Sequence, residues 1–490
     1  MASCAERKVC SNSRIEDSCR ILDFDRPVDQ CGVVGMVSNS DVSRFLYHCL
    51  RALQHRGQEA AGIATFDNSV SCEKGMGLVH EVFNEEKLST LKGNAGIGHV
   101  RYSTTGSSNI QNAQPVMVSS AIGDVALAHN GDIVNSQKLR DNLKKKGWAF
   151  ITTTDSEVIV RLFANEIAST HDVARSLRNV MRILVGSYAI TLLLNDRIFA
   201  VRDPFGIKPL CVGRLEKCYV VASESIVFDA IGAKFIRDIM PGEIVELSRK
   251  GIESLQTSTP KHHAFCMFEW VYFSRADSVI DGRLVYDVRY NIGKCLAKDH
   301  QVEADIVVPV PDSGRTHALG YARASNIPYT EGLIKNRYVW RTFIMPEQLQ
   351  RKRDVRLKLN PIREIVEGKR LVLVDDSIVR GNTMERILAI LKDAGTKEVH
   401  VRVGSPPIIA PCYFGIDMKT RDQFIANGKT VLEIAQHVGA DSLGYLSIER
   451  LVECIGHDRN NLCLGCLTGE YPVDIPGERL RFQKRIEGFE

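Results

Sequence analysis

LVLVDDSIVRGNT, from Leu371 to Thr383, reads as the end of one structural element and the start of another. Four apolar residues make a buried strand, Asp375 and Asp376 sit where it ends, and a small-residue loop leads into the amphipathic run TMERILAILKDAG. Backbone N–H groups at a helix start favour a phosphate, while adjacent carboxylates suit ribose hydroxyls or Mg²⁺. The pattern points to a sugar-phosphate site, and an acidic loop at a sheet edge is the competing reading. The stretch carries no Walker A sequence and no G-x-G-x-x-G. Gly368-Lys369-Arg370 precedes the strand instead of opening a helix, which argues against ordinary ATP or NAD sites.

Around this stretch, strand and helix patterns alternate: ADIVVPVPD, HALGYARAS, KRLVLVDD, TMERILAILKDAG, EVHVRVGS. Such βαβ order predicts a parallel sheet with ligands at the carboxyl ends of its strands. Upstream, SLQTSTPKHH (Ser254 to His263) reads as a linker. From Cys31 to about residue 250, β-rich runs such as ALAHNGDIV, YAITLLL, RIFAVRD and CYVVAS accompany helical stretches such as SEVIVRLFANEIAS. Strands with few crossover helices predict an α+β sheet sandwich there. The expected units are a leader (1–30), a first domain (31–262), a second domain (263–470) and a tail without a clear core (471–490).

The 490 residues suffice for two or three domains with ample core. With 44% hydrophobic and 25% charged residues, 37 Gly and 16 Pro, the composition is that of a globular chain and excludes low complexity. Lys plus Arg at 63 against Asp plus Glu at 59 leaves +4, which argues against nucleic acid as the main partner. No apolar run approaches the ~18 residues a spanning helix requires, and the N-terminus has no signal-like apolar segment. No membrane association and a cytoplasmic location are therefore expected. Fourteen Cys in so long a chain read as thiols or metal ligands in a reducing compartment, with Cys4, Cys10 and Cys19 incidental.

Two cysteine features bear on chemistry. Cys31 heads the strand candidate CGVVGMV, and removal of the leader would give it both a thiol and a free α-amino group. With an ordinary pKa of about 7.7–8.0, that amine can accept the thiol proton near neutrality. A buried core Cys beside Gly is the alternative. Cys463-Leu-Gly-Cys466 is a C-x-x-C, open to half a zinc site, a redox pair, half an iron–sulfur site or chance. Spacing alone does not choose its further ligands.

Several segments together resemble an N-terminal-nucleophile class II glutamine amidotransferase domain: Cys31 to Gly35, LQHRGQEAAGI (Leu53 to Ile63), GHVRYSTTG (Gly98 to Gly106), AHNGDIVN (Ala128 to Asn135), TDSE (Thr154 to Glu157) and RDPFGIKPL (Arg202 to Leu210). LVLVDDSIVRGNT resembles the phosphoribosylpyrophosphate (PRPP) loop of type I phosphoribosyltransferases. In this order, joined by FEWVYFSRADSVIDG and followed by KNRYVWRTFIMP, they resemble the glutamine PRPP amidotransferase family over about residues 31 to 470.

The resemblance implies an αββα glutaminase domain followed by an α/β phosphoribosyltransferase domain. It implies the first committed step of purine synthesis: glutamine, PRPP and water give 5-phosphoribosylamine, glutamate and pyrophosphate. Cys31 would attack the carboxamide, with Asn130 and the N–H of Gly131 holding the oxyanion. Arg101 would bind the glutamine α-carboxylate and Asp155 its α-ammonium, with Arg56 and Gly57 in the same site. Asp375 and Asp376 would hold ribose hydroxyls and Mg²⁺, with Ser313 near the metal. Ser377, Gly381, Asn382 and Thr383 would cradle the 5-phosphate, and Lys335 to Leu359 matches the family's mobile loop. One branch of the family carries a 4Fe-4S cluster, whose ligand positions match Cys266, Cys412, Cys463 and Cys466. Trp340 stands where the loop motif has Gly, and the leader is longer than usual. A homotetramer inhibited by purine nucleotides is implied as well. An amino-sugar synthase would need a sugar-isomerase half, which LVLVDDSIVRGNT speaks against. A catalytically silent nucleotide-binding regulator could dispense with Cys31, Asn130 and Arg101.

Overall fold

The computed structural model describes residues 31–102, 108–256, 262–336, 359–418 and 420–475. The expected leader, Trp340 and most of the expected mobile loop lie outside them.

The first lobe contains two antiparallel sheets. One has seven strands in the order Lys234–Asp238, Cys211–Leu215, Cys218–Ala222, Gly32–Val37, Ala95–Arg101, Ala60–Asp67, Ser69–Met76. The other has six: Gly251–Gln256, Ile244–Ser248, Arg197–Arg202, Gly186–Leu194, Gly123–Ile133, Val116–Ser120. Alternation along the strands sends small and β-branched side chains into the layer between them. Val33, Val37, Ala64 and Ile97 meet Ala126, Ala128, Ala189 and Ile198 in one buried cluster. The outer faces bury Leu46 and Leu50 of helix Ser43–Ala52 on one side and Val158, Phe163 and Ile167 of helix Asp155–Thr170 on the other. This is the expected helix–sheet–sheet–helix layering.

The polar composition of the expected linker concealed its first residues. Ser254 pairs with Val245 and Gln256 with Ile244, so the edge strand runs to Gln256. An edge strand tolerates outward polar residues, and here Leu255 alone turns to the helix-covered core.

The second lobe holds a four-stranded parallel sheet in the order Ile306–Pro309, Arg370–Asp375, Glu398–Val403, Ser442–Tyr445. Leu371 and Leu373 enter one core cluster and Val372 and Val374 another, which is why this strand reads as a continuous apolar run. Leu333–Lys335 pairs antiparallel with Leu359–Pro361, bringing together the two ends of the segment 336–358. Tyr471 donates to the Pro411 carbonyl (2.7 Å), and Val473 and Ile475 pack on the core, so the chain stays on this lobe through residue 475 rather than leaving at 470.

Two arginines of the first lobe tie it to the second. Arg202 makes a bidentate pair with Asp281 (2.8 and 2.8 Å), and Arg56 grips Glu269 through both terminal nitrogens (3.0 and 2.8 Å). Both guanidiniums are buried.

Candidate functional site

Cys31 stands at the head of the central strand Gly32–Val37, whose pairing places Gly32 opposite Val100, next to Arg101. The thiol is buried and donates to the Tyr102 carbonyl at 3.4 Å. Burial pushes its pKa up, whereas the Tyr102 contact and the Arg101 charge pull it down. Arg101, Glu59 and Asp155 all act electrostatically on this thiol, so the three charges converge on one site. Arg101 donates to Glu59 at 2.9 Å. Asp155 opens its helix, and its carboxylate accepts the Ile133 N–H (3.0 Å), which places it at the end of the strand carrying Asn130. Burial pushes that carboxyl up to about 6.

Asn130 is 1% exposed, and its side-chain Nδ2 has no hydrogen-bond partner among the described residues. Leaving a buried amide donor unsatisfied costs on the order of 1–3 kcal/mol, so such a donor marks a place kept for an acceptor. Gly131 follows at φ +149°, where an added Cβ would lie 2.1 Å from the Ser187 carbonyl oxygen. No other residue fits there. Gly57 allows another close approach, since a Cβ would meet the Val100 and Arg101 backbone at 2.6–2.7 Å.

Arg56 departs from its expected role on glutamine. Its guanidinium is held by Glu224 (2.6 Å) and Glu269, and its Nε donates to the Cys31 carbonyl (3.2 Å). Burial pulls Glu224 up, but His55 and Arg56 outweigh it and hold this carboxyl well below the usual range. With its charge neutralised on both sides, the guanidinium braces the Cys31 backbone and is engaged by the protein itself. An Arg in a loop reads alike in either role, so the sequence did not separate them.

In the second lobe, Asp375 and Asp376 end the strand Arg370–Asp375, both nearly inaccessible to solvent. Asp375 accepts the Asp376 N–H (2.9 Å), and Asp376 accepts the Ser377 hydroxyl (2.6 Å). The chain then turns at Gly381, whose φ of +89° precedes the helix Asn382–Asp393. A Gly at this position supplies no side-chain cap to the first-turn N–H groups. Ser313 lies in the turn after the neighbouring parallel strand Ile306–Pro309, and its carbonyl is 3.2 Å from His317 Nδ1. Burial pushes His317 down to about 4, so it is a neutral ring under this site. Two adjacent carboxylates at a sheet's carboxyl end are hard oxygen donors of the kind Mg²⁺ takes together with phosphate oxygens.

The four expected cluster ligands gather at the junction of the lobes. Phe265–Cys266 pairs parallel with Leu462–Cys463, placing Cys266 opposite Cys463. The Cys466 carbonyl accepts the N–H groups of Ile409 (3.0 Å) and Ala410 (3.1 Å), which draws the Cys412 segment in. Burial pushes all four thiols up, and at Cys466 the other three thiols add to the rise. Among the described residues, no three His, Cys, Asp or Glu converge as a single bound ion requires. A 4Fe-4S cluster takes one thiolate on each iron and so spaces its ligands farther apart than a single ion does, and four thiols gathered within electrostatic reach of one another are compatible with that donor set.

Glu59, Arg202, Glu224, Glu269, Arg289 and His317 were missed as working residues. Arg289 donates to the Trp270 (2.8 Å) and Ser274 (2.7 Å) carbonyls beneath the junction. One signal was available: Glu269 interrupts the apolar run AFCMFEWVYF, and a carboxylate in such a run needs a buried partner.

The fold and these sites define a glutamine amidotransferase domain joined to a phosphoribosyltransferase domain. Models of those two families match residues 99–230 and 282–403, respectively. The chain is 54% identical to the amidophosphoribosyltransferase of Methanothermobacter thermautotrophicus, over 92% of its own length and 96% of the relative's. It is 45% identical to that of Bacillus subtilis, over 91% and 95%. Among solved structures, the glutamine PRPP amidotransferase from B. subtilis in complex with ADP and GMP matches with a TM-score of 0.86 at 44% identity, covering 91% of this chain and 98% of that one. The chain belongs to the amidophosphoribosyltransferase family, the glutamine-dependent PRPP amidotransferases of purine biosynthesis. None of its described helices is long and apolar enough to cross a membrane.

Proposed function

We propose a division of labour in which residues 31–262 release ammonia from glutamine and residues 263–470 consume it. Once residues 1–30 are removed, the Cys31 α-amine takes the thiol proton and the thiolate attacks the glutamine amide carbon. Arg101 and Asp155 hold the substrate's carboxylate and ammonium, while Asn130 Nδ2 and the Gly131 N–H receive the oxyanion. Collapse of the tetrahedral intermediate expels ammonia and leaves a glutamyl thioester, which water cleaves to glutamate.

In the second lobe Asp375 and Asp376 hold the ribose hydroxyls, Ser377, Gly381, Asn382 and Thr383 the 5-phosphate, and ammonia displaces pyrophosphate at C1. Asp375 and Asp376, with Ser313 nearby, would hold Mg²⁺, which when bound would supply charge neutralisation for a pyrophosphate leaving group. Cys266, Cys412, Cys463 and Cys466 would hold a 4Fe-4S cluster, which would supply iron–thiolate bonds joining three segments of the chain. The ADP and GMP held by the B. subtilis enzyme support purine nucleotides as feedback ligands of this chain. A homotetramer in the cytoplasm completes the proposal on family grounds.

The observation that carries the glutamine half is the partnerless Asn130 amide one residue before a glycine that cannot be replaced. The test is Cys31→Ala in protein beginning at residue 31. Glutamine-dependent phosphoribosylamine formation is expected to vanish while ammonia-dependent formation persists. Continued use of glutamine would place the nucleophile elsewhere, and loss of both activities in folded protein would deny that the two sites are separable.

A further inference from the structure

Lys208, within RDPFGIKPL, has no part in the chemistry above, yet its side chain is the most unusual in the junction. It is 0% exposed, and its Nζ has no hydrogen-bond partner among the described residues. A buried ammonium without a partner is strongly disfavoured, so its burial calls for a compensating negative charge.

Two carboxylates close by, Asp203 and Glu269, are committed elsewhere. Asp203 accepts the N–H groups of Phe205, Ile207 and Lys208 itself (3.0, 3.1 and 3.3 Å). Glu269 is bound by Arg56 and by the Ser274 hydroxyl (2.5 Å). The neighbouring thiols are weaker acceptors, Cys412 Sγ taking the Phe414 N–H at 3.4 Å. The Ile207 carbonyl accepts the Cys266 N–H at 3.3 Å, which sets the lysine beside the cluster-ligand strand. The lysine lies within electrostatic reach of Cys266, Cys412 and Cys463 alike.

We propose that Lys208 is the counter-charge of the iron–sulfur cluster, its ammonium offsetting the net negative charge of four thiolates around the iron–sulfide core. The inference rests on the cluster assignment made under the proposed function. A buried positive charge stabilises the more electron-rich state of its neighbour, so Lys208 slows oxidative loss of the cluster without touching either substrate.

Wild type, Lys208→Met and Lys208→Arg, each purified anaerobically, are compared for iron per chain and for the rate at which ferricyanide, a one-electron oxidant, bleaches the iron–sulfur absorbance. Lys208→Met keeps the length and removes the charge, and it should bleach several-fold faster or retain less iron. Lys208→Arg should stay near wild type. Equal iron and equal bleaching in all three would overturn the counter-charge, and so would equal losses in the Met and Arg variants, which would mark a packing role. Iron-free wild type would instead overturn the cluster assignment, and this inference with it.

Discussion

Asp375, Asp376 and the residues through Thr383 leave one strand and enter one helix, whereas Cys31, Arg101, Asn130 and Asp155 arrive from separate elements of two sheets and a helix. The phosphoribosyl lobe thus builds its site from local chain geometry: a parallel strand ends, carboxylates follow, and a helix begins. The glutamine lobe builds its site from register. Gly32 faces Val100 and Asn130 faces Ala189, and a slip of one residue on either strand would carry Arg101 or Asn130 to the opposite face. A register-built site needs external bracing, and Arg56 supplies it by tying the Cys31 carbonyl to Glu224 and Glu269. The local loop is held from outside by uncharged partners at its surface, with Arg380 donating to Gln423 (3.1 and 2.7 Å) and the Val379 carbonyl accepting the Ile425 N–H (2.9 Å).

This contrast is open to attack at several points. The largest effect is expected from Asp375→Asn with Asp376→Asn, which should reduce PRPP binding below detection by calorimetry and leave thermal stability almost unchanged, because Asn keeps an oxygen that can accept the Asp376 N–H and the Ser377 hydroxyl. Unchanged PRPP affinity would remove the loop from the site. Arg56→Met should do the reverse. It strands two buried carboxylates, and thermal unfolding should report a loss of about 3–5 kcal/mol together with lower glutaminase activity. A variant of wild-type stability would show that register alone holds Cys31.

Asn130→Ala tests the oxyanion donor, with glutamine-dependent kcat expected to fall by about 10²–10³ and ammonia-dependent kcat to stay level. The mildest test is pH. With the Asp155 carboxyl at about 6, protonation below that pH neutralises the proposed partner of the α-ammonium, so kcat/KM for glutamine should fall about tenfold per unit as pH drops below it. Asp155→Asn should abolish that limb of the profile, and a limb that survives belongs to another group.

The same contrast explains what could be read from the chain beforehand. Leu371 to Thr383 disclosed its strand, its carboxylates and its helix start because the relevant contacts are within a few residues. The sandwich was legible from alternation, but which strand faces which was not, because no local feature pairs Gly32 with Val100. Cys31, Asn130, Arg101 and Asp155 were singled out together only through resemblance to a family. Arg56 was placed on the substrate because its partners lie in segments far along the chain. The edge strand through Gln256 was missed because a polar edge and a polar linker have the same composition.

Arg56 also bears on the order in which this enzyme can be made. Glu269 follows it in the chain by 213 residues, and Asp281 follows Arg202 by 79. A ribosome that has delivered the whole glutamine lobe has not yet delivered the carboxylates that complete the neutralisation of its two deepest guanidiniums. The lobe therefore ends, in sequence, before it is complete in charge. Cutting the gene at the natural-looking boundary near residue 262 would yield a fragment whose two buried cations lack these later partners, and the smallest piece that keeps the whole brace on Cys31 extends past Glu269.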